Sequence, residues 1–232
     1  MKNRKETAGT VLIGVDKGCP HTVFIRQSLP RSPIFLIFAK QKRKNMNNFN
    51  PYIKHIDNDA LKELCFRHGE LRTFRKGEYL IREGDVYPYF GFIKTGVFKY
   101  VSVNKTENRL YNTGFAFPGE FVADYPACIY GMRSETNVQA LTRSEIYLCP
   151  AKRLAAFSDQ QPGIARTNAE QLFLQTYSRY LDLYRLTPEE RYLQLLRRCP
   201  GILQSVPLKE IASYLMITPT HMSRIRRKQS FG

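Results

Sequence analysis

The chain has 232 residues, 43% of them hydrophobic, and carries 36 Lys/Arg against 20 Asp/Glu for a formal net charge of +16. That length allows one large domain or two small ones, and with no run of 18 apolar residues no transmembrane helix is expected. The five cysteines are scattered with no CxxC and the four histidines form no HExxH, so neither a zinc site nor an iron–sulfur cluster of the usual spacing is expected.

The first 45 residues differ from the rest. They hold Pro20, Pro30, Pro33, a short apolar run Ile34–Ala39 and the basic cluster Lys40–Lys44, and account for +8 of the net charge. The apolar run is too short to span a membrane and too far from the start for a usual signal peptide. Residues 1–45 read as a disordered basic extension or as a misassigned start upstream of Met46. A basic arm on the DNA backbone is the alternative.

Asp57 or Asn58 caps a short helix over 57–69, with Leu61, Leu64 and Cys65 on one face. From about 71 to 149 the apolar period drops to two and turn signals recur at Gly77, Gly84-Asp85, Thr95-Gly96, Pro118-Gly119 and Gly131. Strands are predicted at 71–74, 79–81, 89–93, 97–103, 109–115, 137–141 and 145–148. Many short, evenly spaced strands imply a sandwich, barrel or jelly roll.

After Pro150 the period becomes helical. A short helix over 151–157 precedes a long one from Pro162 to about Leu186. Ala169, Leu172, Phe173, Thr176, Tyr177, Tyr180, Leu183 and Thr187 recur along it at heptad-like spacing. This aromatic stripe needs a partner surface, and a two-fold dimer seam is expected. Thr187-Pro188-Glu189-Glu190 caps a further helix, 191–198, which Cys199-Pro200-Gly201 ends.

Leu208, Ile211, Ala212 and Leu215 form the apolar face of one short helix; Met216-Ile217 make a turn. Thr218 followed by Pro219 starts a second helix, which carries Arg224, Arg226, Arg227 and Lys228 and no acid. Two short helices, a tight turn and a cationic second helix point to a helix-turn-helix and to duplex DNA as partner. Met222 and Ile225 are expected to face inward with Ile217. With four residues after Lys228 and few between Gly201 and Val206, no wing hairpin is expected.

The ordered features Phe74-x-x-Gly77-Glu78, Glu83-Gly84-Asp85, Tyr89-Phe-x-x-Ile93-x-x-Gly96-Val97, Gly119-Glu120, long helix and helix-turn-helix resemble the cyclic-AMP receptor protein/Fnr (Crp/Fnr) family of bacterial transcription regulators. The resemblance covers roughly 50–230. It implies an α+β chain: a β jelly-roll sensor of cyclic-nucleotide-binding type (46–160), a dimerisation helix (161–187) and a DNA-binding helix-turn-helix (188–232). It further implies a cytoplasmic homodimer with no catalytic residues, resident cofactor or metal, and with RNA polymerase as a candidate further partner.

In the family, a Gly-Glu ahead of a short helix and a later Arg-Ser/Thr-Ala bind the cyclic nucleotide. Gly119, Glu120, Arg133 and Ser134 are therefore the candidate effector residues. Alignment through Val138–Leu141 places Ser134, not Arg133, at the phosphate-neutralising position, and Glu135 replaces the alanine. A buried phosphate beside a carboxylate and without its arginine is disfavoured, so the effector expected is not cyclic AMP. Iron–sulfur sensing lacks its N-terminal cysteine cluster.

At the DNA-binding end the resemblance puts the capping phosphate contact on Thr218 and base-facing positions on Pro219, Thr220 and Arg224, with His221 beside them. Arg224 would pair with guanine O6/N7. Ser223 and Arg227 would meet backbone phosphates, and Arg226 and Lys228 add charge. Met216 stands where the family usually has a left-handed glycine. The alternative to a regulator is a sensor module with a degenerate tail that acts through protein contacts. A cupin-like enzyme lacks clustered metal ligands.

Overall fold

The computed structural model describes residues 49–86 and 88–230. The predicted basic extension, residues 1–45, lies outside them. A 3-10 turn, Pro51–His55, leads into helix α1, Asn58–His68, whose cap is Asp57: its carboxylate accepts from the Ala60 N–H at 3.0 Å. Leu61 and Cys65 are its buried face.

Eight strands follow: β1 (Glu70–Phe74), β2 (Tyr79–Ile81), β3 (Tyr89–Thr95), β4 (Phe98–Asn104), β5 (Arg109–Ala116), β6 (Phe121–Val122), β7 (Asn137–Ala140) and β8 (Ser144–Pro150). Helix α2, Tyr125–Tyr130, interrupts them between β6 and β7. They form two antiparallel sheets in the orders β1-β8-β3-β6 and β2-β7-β4-β5, the layered arrangement expected of a jelly roll. Seven strands fall where period two placed them. The two-residue β6 is too short to show a period, so the sequence reading missed it.

The alternating inward residues of the two sheets, among them Leu80, Ile93, Phe98, Val122, Val138 and Ile146, make the core of the roll. Gly96 is required at the β3–β4 turn. Its φ is +86°, and a Cβ there would stand 2.1 Å from Ser144 Oγ and 2.6 Å from Arg143 O.

Helix α3, Ala151–Gln160, packs back on β3, β8 and α1. The long helix α4, Pro162–Arg185, has no fully buried residue. It ends at Arg185, within a residue of the predicted bound, and so stops short of Thr187. Thr187 does not belong to its stripe: its hydroxyl accepts from the Glu190 N–H, and Glu190 reaches back to the Thr187 N–H, closing a capping box on helix α5, Pro188–Arg198. A single helical turn α6, Ile202–Ser205, then leads to α7, Leu208–Tyr214, and α8, Pro219–Ser230.

The core of this last part (Tyr192, Leu195, Ile202, Ile211, Met222, Ile225) is continuous with Phe49, Val97, Phe115 and Leu141 of the roll side. Met222, Ile225 and Ile217 do face inward. Cys65, Cys128, Cys149 and Cys199 are free and buried. Among the described residues no helix is long and apolar enough to cross a membrane.

Candidate nucleic-acid interface and effector cavity

Helices α7 and α8 are held by a turn at Met216, whose φ of +58° is left-handed. A non-glycine residue there costs on the order of 1 kcal/mol. The Arg191 guanidinium donates to the Leu215 carbonyl at 3.0 Å, fixing this corner to α5. Thr218 caps α8: its hydroxyl accepts from the His221 N–H at 3.2 Å.

Thr218, Thr220, His221, Ser223, Arg224, Arg226, Arg227 and Lys228 are all exposed. Three- and four-residue spacing puts Thr220, Ser223, Arg224 and Arg227 on one face, opposite Met222 and Ile225. Arg224 and Arg227 have no hydrogen bond or ion pair among the described residues. Ser223 is partly engaged, donating to the Pro219 carbonyl at 3.0 Å. Lys228 pairs with Glu189 at 3.0 Å, tying the end of α8 to the start of α5.

The α7 side of this motif is clasped to the roll. Glu210 Oε2 accepts from Lys99 Nζ at 3.0 Å and from Asn112 Nδ2 at 2.8 Å, and Asn112 Nδ2 also reaches the Glu210 carbonyl. The Asn112 N–H donates to Ser213 Oγ, which donates to the Leu110 carbonyl. Nothing local in the sequence marks this clasp, because its partners lie about a hundred residues apart.

A second unforeseen feature sits at the start of the described chain. Phe49 is buried among the rings of Phe115, Phe117 and Tyr214 at 5.3–5.8 Å, with Arg179 and Arg198 over its faces. Asn50 donates to the Phe115 carbonyl at 2.8 Å and to Glu120 Oε2 at 2.6 Å, and accepts from Gln175 and Arg179. Residues 49–50 therefore touch the roll, the long helix and the C-terminal helices together.

The candidate effector residues are not brought together. Glu120 is buried. Burial pushes its carboxyl up to about 7, although hydrogen bonds from Asn50 and the Phe117 N–H and the Arg179 charge pull it down. Gly119 forms the positive-φ turn before it. Ser134 is buried elsewhere and donates to Asp124 Oδ2 at 2.6 Å, while Arg133 is exposed and donates to the Gly84 carbonyl. None of these four lines the larger cavity of the roll.

That cavity, about 590 Å3, lies between the roll and α4. Its wall is mainly aromatic and aliphatic, with Tyr52, Phe90, Tyr100, Phe121 and Leu154 on the roll side and Asn168, Leu172 and Arg179 from α4. Asn168 Oδ1 is buried without a partner. On α4, Phe173, Tyr177, Tyr180, Leu183 and Tyr184 remain exposed, with Phe173 stacked on Tyr177 at 5.7 Å.

Residues 71–161 match the model of the cyclic nucleotide-binding domain. Over 113 residues the chain is 32% identical to the transcriptional activator protein Anr of Pseudomonas aeruginosa, a match covering 47% of this chain and 43% of the relative. The chain thus spans less than half the length of the curated relatives it matches. Among solved structures it is similar to FixK2 from Bradyrhizobium japonicum, with a TM-score of 0.58 at 17% identity over 70% of this chain and 85% of that one. It is also similar to a regulator from Eubacterium rectale assigned to the Crp/Fnr family, with a TM-score of 0.56 at 15% identity over 79% and 88%.

Residues 71–161 thus carry a cyclic nucleotide-binding domain, and the chain is similar to Crp/Fnr regulators.

Gly119-Glu120 and Arg133-Ser134 bound the segment that carries β6 and α2. Asp124, the cap of α2, takes up the Ser134 hydroxyl, and Asn50 takes up Glu120. Both groups are thereby spent on the protein itself.

Proposed function

We propose that this chain is a transcription regulator of Crp/Fnr type, homodimeric and sequence-specific in binding DNA, whose roll senses a largely apolar small molecule. The observation that carries the DNA-binding part is the open cationic face of α8: a capped start at Thr218 with Arg224 and Arg227 unpaired among the described residues. An arginine so placed suits bidentate pairing with guanine, worth about 1–3 kcal/mol of discrimination. Thr220 and His221 flank it. Arg226, Arg227 and Lys228 supply the salt-dependent attraction to phosphates.

The dimer reading rests on α4. Five large apolar side chains exposed along one helix need a second surface. Its two-fold copy would set two recognition helices against successive half-sites of a palindrome. The same helix walls the 590 Å3 cavity through Asn168, Leu172 and Arg179. An occupant would therefore bear on the dimer seam and shift the population of DNA-competent spacings. Cyclic nucleotide fits this chain poorly: Ser134 faces Asp124 rather than a phosphate, and Glu120 is engaged by Asn50.

Selection of binding sites from random duplexes, followed by fluorescence anisotropy from 50 to 300 mM salt, tests the reading. A palindromic consensus with a steep salt slope is expected, and Arg224→Ala should cost roughly tenfold or more in specific affinity. Absence of binding to every duplex at low salt would leave a sensor that acts through protein contacts.

A further inference from the structure

A second cavity of about 580 Å3 lies where three parts of the chain meet: the β4–β5 end of the roll, α4, and the α5–α7 corner of the C-terminal helices. It adjoins the first cavity, sharing Thr113, Thr176 and Arg179 with it, and its wall is likewise mainly apolar. Arg179, Arg191 and Arg198 all line it, arriving from two helices. The Nε of each is buried and has no hydrogen-bond partner.

None of the three forms an ion pair among the described residues. Arg179 donates only to neutral oxygens, the Phe49 carbonyl and Asn50 Oδ1, and Arg191 only to the Leu215 carbonyl. Arg198 has no hydrogen bond among the described residues and rests over the Phe49 ring, 5.2 Å from its centroid. Burial holds Arg179 down to about 10, and the Arg198 charge pushes it the same way. Two carboxylates also line the wall, Glu107 and Asp182. Glu107 accepts from Tyr111 at 3.1 Å, and neither acid pairs with an arginine. Three guanidiniums thus contribute to the wall of one space with no ion pair among the described residues, although the Glu120 charge acts on Arg179.

Partly covered guanidiniums without an ion-pair partner gain charge-assisted hydrogen bonds from an oxyanion. Guanidinium forks match phosphate and carboxylate oxygens in pairs. We propose that this junction cavity is a binding site for a small polyanion, a phosphorylated or polycarboxylate metabolite, adjoining the apolar effector cavity and sharing Arg179 with it. Such a ligand would tie α5 to α4 and to the roll. Tyr180 and Leu183 of the aromatic stripe also line the space, so a second copy packed on that stripe would help to wall it. The site stands whether or not the protein binds DNA.

The test uses the full chain with inorganic pyrophosphate as probe, titrated by calorimetry and by thermal unfolding at constant ionic strength. Saturable binding is expected, weakened at least tenfold by Arg198→Gln. Gln194→Glu places a carboxylate on the cavity wall. It should abolish pyrophosphate binding and raise the melting temperature of the ligand-free protein, a gain that decides the matter should R198Q fail to fold. Lack of saturable binding, unchanged binding in both variants, or binding that depends on Arg224 instead would overturn the proposal, the last because it would put the anion on the recognition helix.

Discussion

Replacing Glu210 by alanine removes the acceptor at the centre of the clasp between α7 and the roll. The carboxylate holds Lys99 at 3.0 Å and Asn112 at 2.8 Å, and the Lys99 and Glu210 side chains are only 15% and 14% exposed. An exposed pair is worth about 0–1 kcal/mol, whereas removing one partner of a fully buried pair costs about 3–5 kcal/mol. This pair is mostly covered, and Asn112 keeps its bond to the Glu210 backbone carbonyl. We therefore expect E210A to cost about 2–3 kcal/mol, most of it the stranded lysine. Adding Lys99→Met should then recover about 1–2 kcal/mol of that loss, a non-additivity measured by a urea double-mutant cycle. Amide exchange of residues 110–113 should accelerate in E210A and slow again in the double variant. Strict additivity, or a single-variant cost below about 0.5 kcal/mol, would refute the clasp as an energetic feature.

The pH response divides between two glutamates of opposite sign. Although burial alone would raise it, the Asn112 and Lys99 hydrogen bonds hold Glu210 below the ordinary carboxylate value, so its contribution is lost as pH falls through that lowered value. Glu120 is raised to about 7, so stability present at pH 4 is lost as pH climbs from the ordinary carboxylate range through 7, up to about 3 kcal/mol in all. Glu120→Gln should flatten that fall in a series of denaturant melts between pH 4.5 and 8; an unchanged slope would place the titration elsewhere. Met216→Gly relieves the left-handed strain but frees the unfolded chain, for a net gain of about 0.5 kcal/mol read as a higher urea midpoint. Tyr177→Glu, in the middle of the exposed stripe, should convert a dimer to monomer by light scattering with little change in the far-ultraviolet spectrum, and a persistent dimer would move the seam off α4.

What was legible in the sequence is what is local. Thr187 and Glu190 meet across three residues, Thr218 reaches His221, and Ile211, Met222 and Ile225 are set inward by helical spacing alone. The strands announced themselves by period two wherever they were long enough to have a period. The effector side was illegible for the same reason. Asn50 and Glu120 are 70 residues apart, Phe49 and Arg179 130 apart, and no pattern in either segment anticipates the other. The cue that existed was chemical: Arg179, a long cation set within a helix whose neighbours are aromatic, had to find oxygens from somewhere. Met216 was legible as a departure, and the backbone accepted the strain instead of changing the turn.

The clasp has a consequence for how the roll survives its own movement. β5 ends the sheet order β2-β7-β4-β5, with no strand beyond it among the described residues. Its outer backbone groups at Asn112 and Leu110 are met by one hydroxyl, that of Ser213, which accepts from one and donates to the other. Helix α7 and the turn after it are thus also the cover of an open sheet margin. Any conformation in which they swing away lays bare the Asn112 N–H and the Leu110 carbonyl, edge groups on which a second chain can add a strand. A regulator that worked by full undocking would pay for each switching event with a window of self-association, which favours small rotations that keep Ser213 in place.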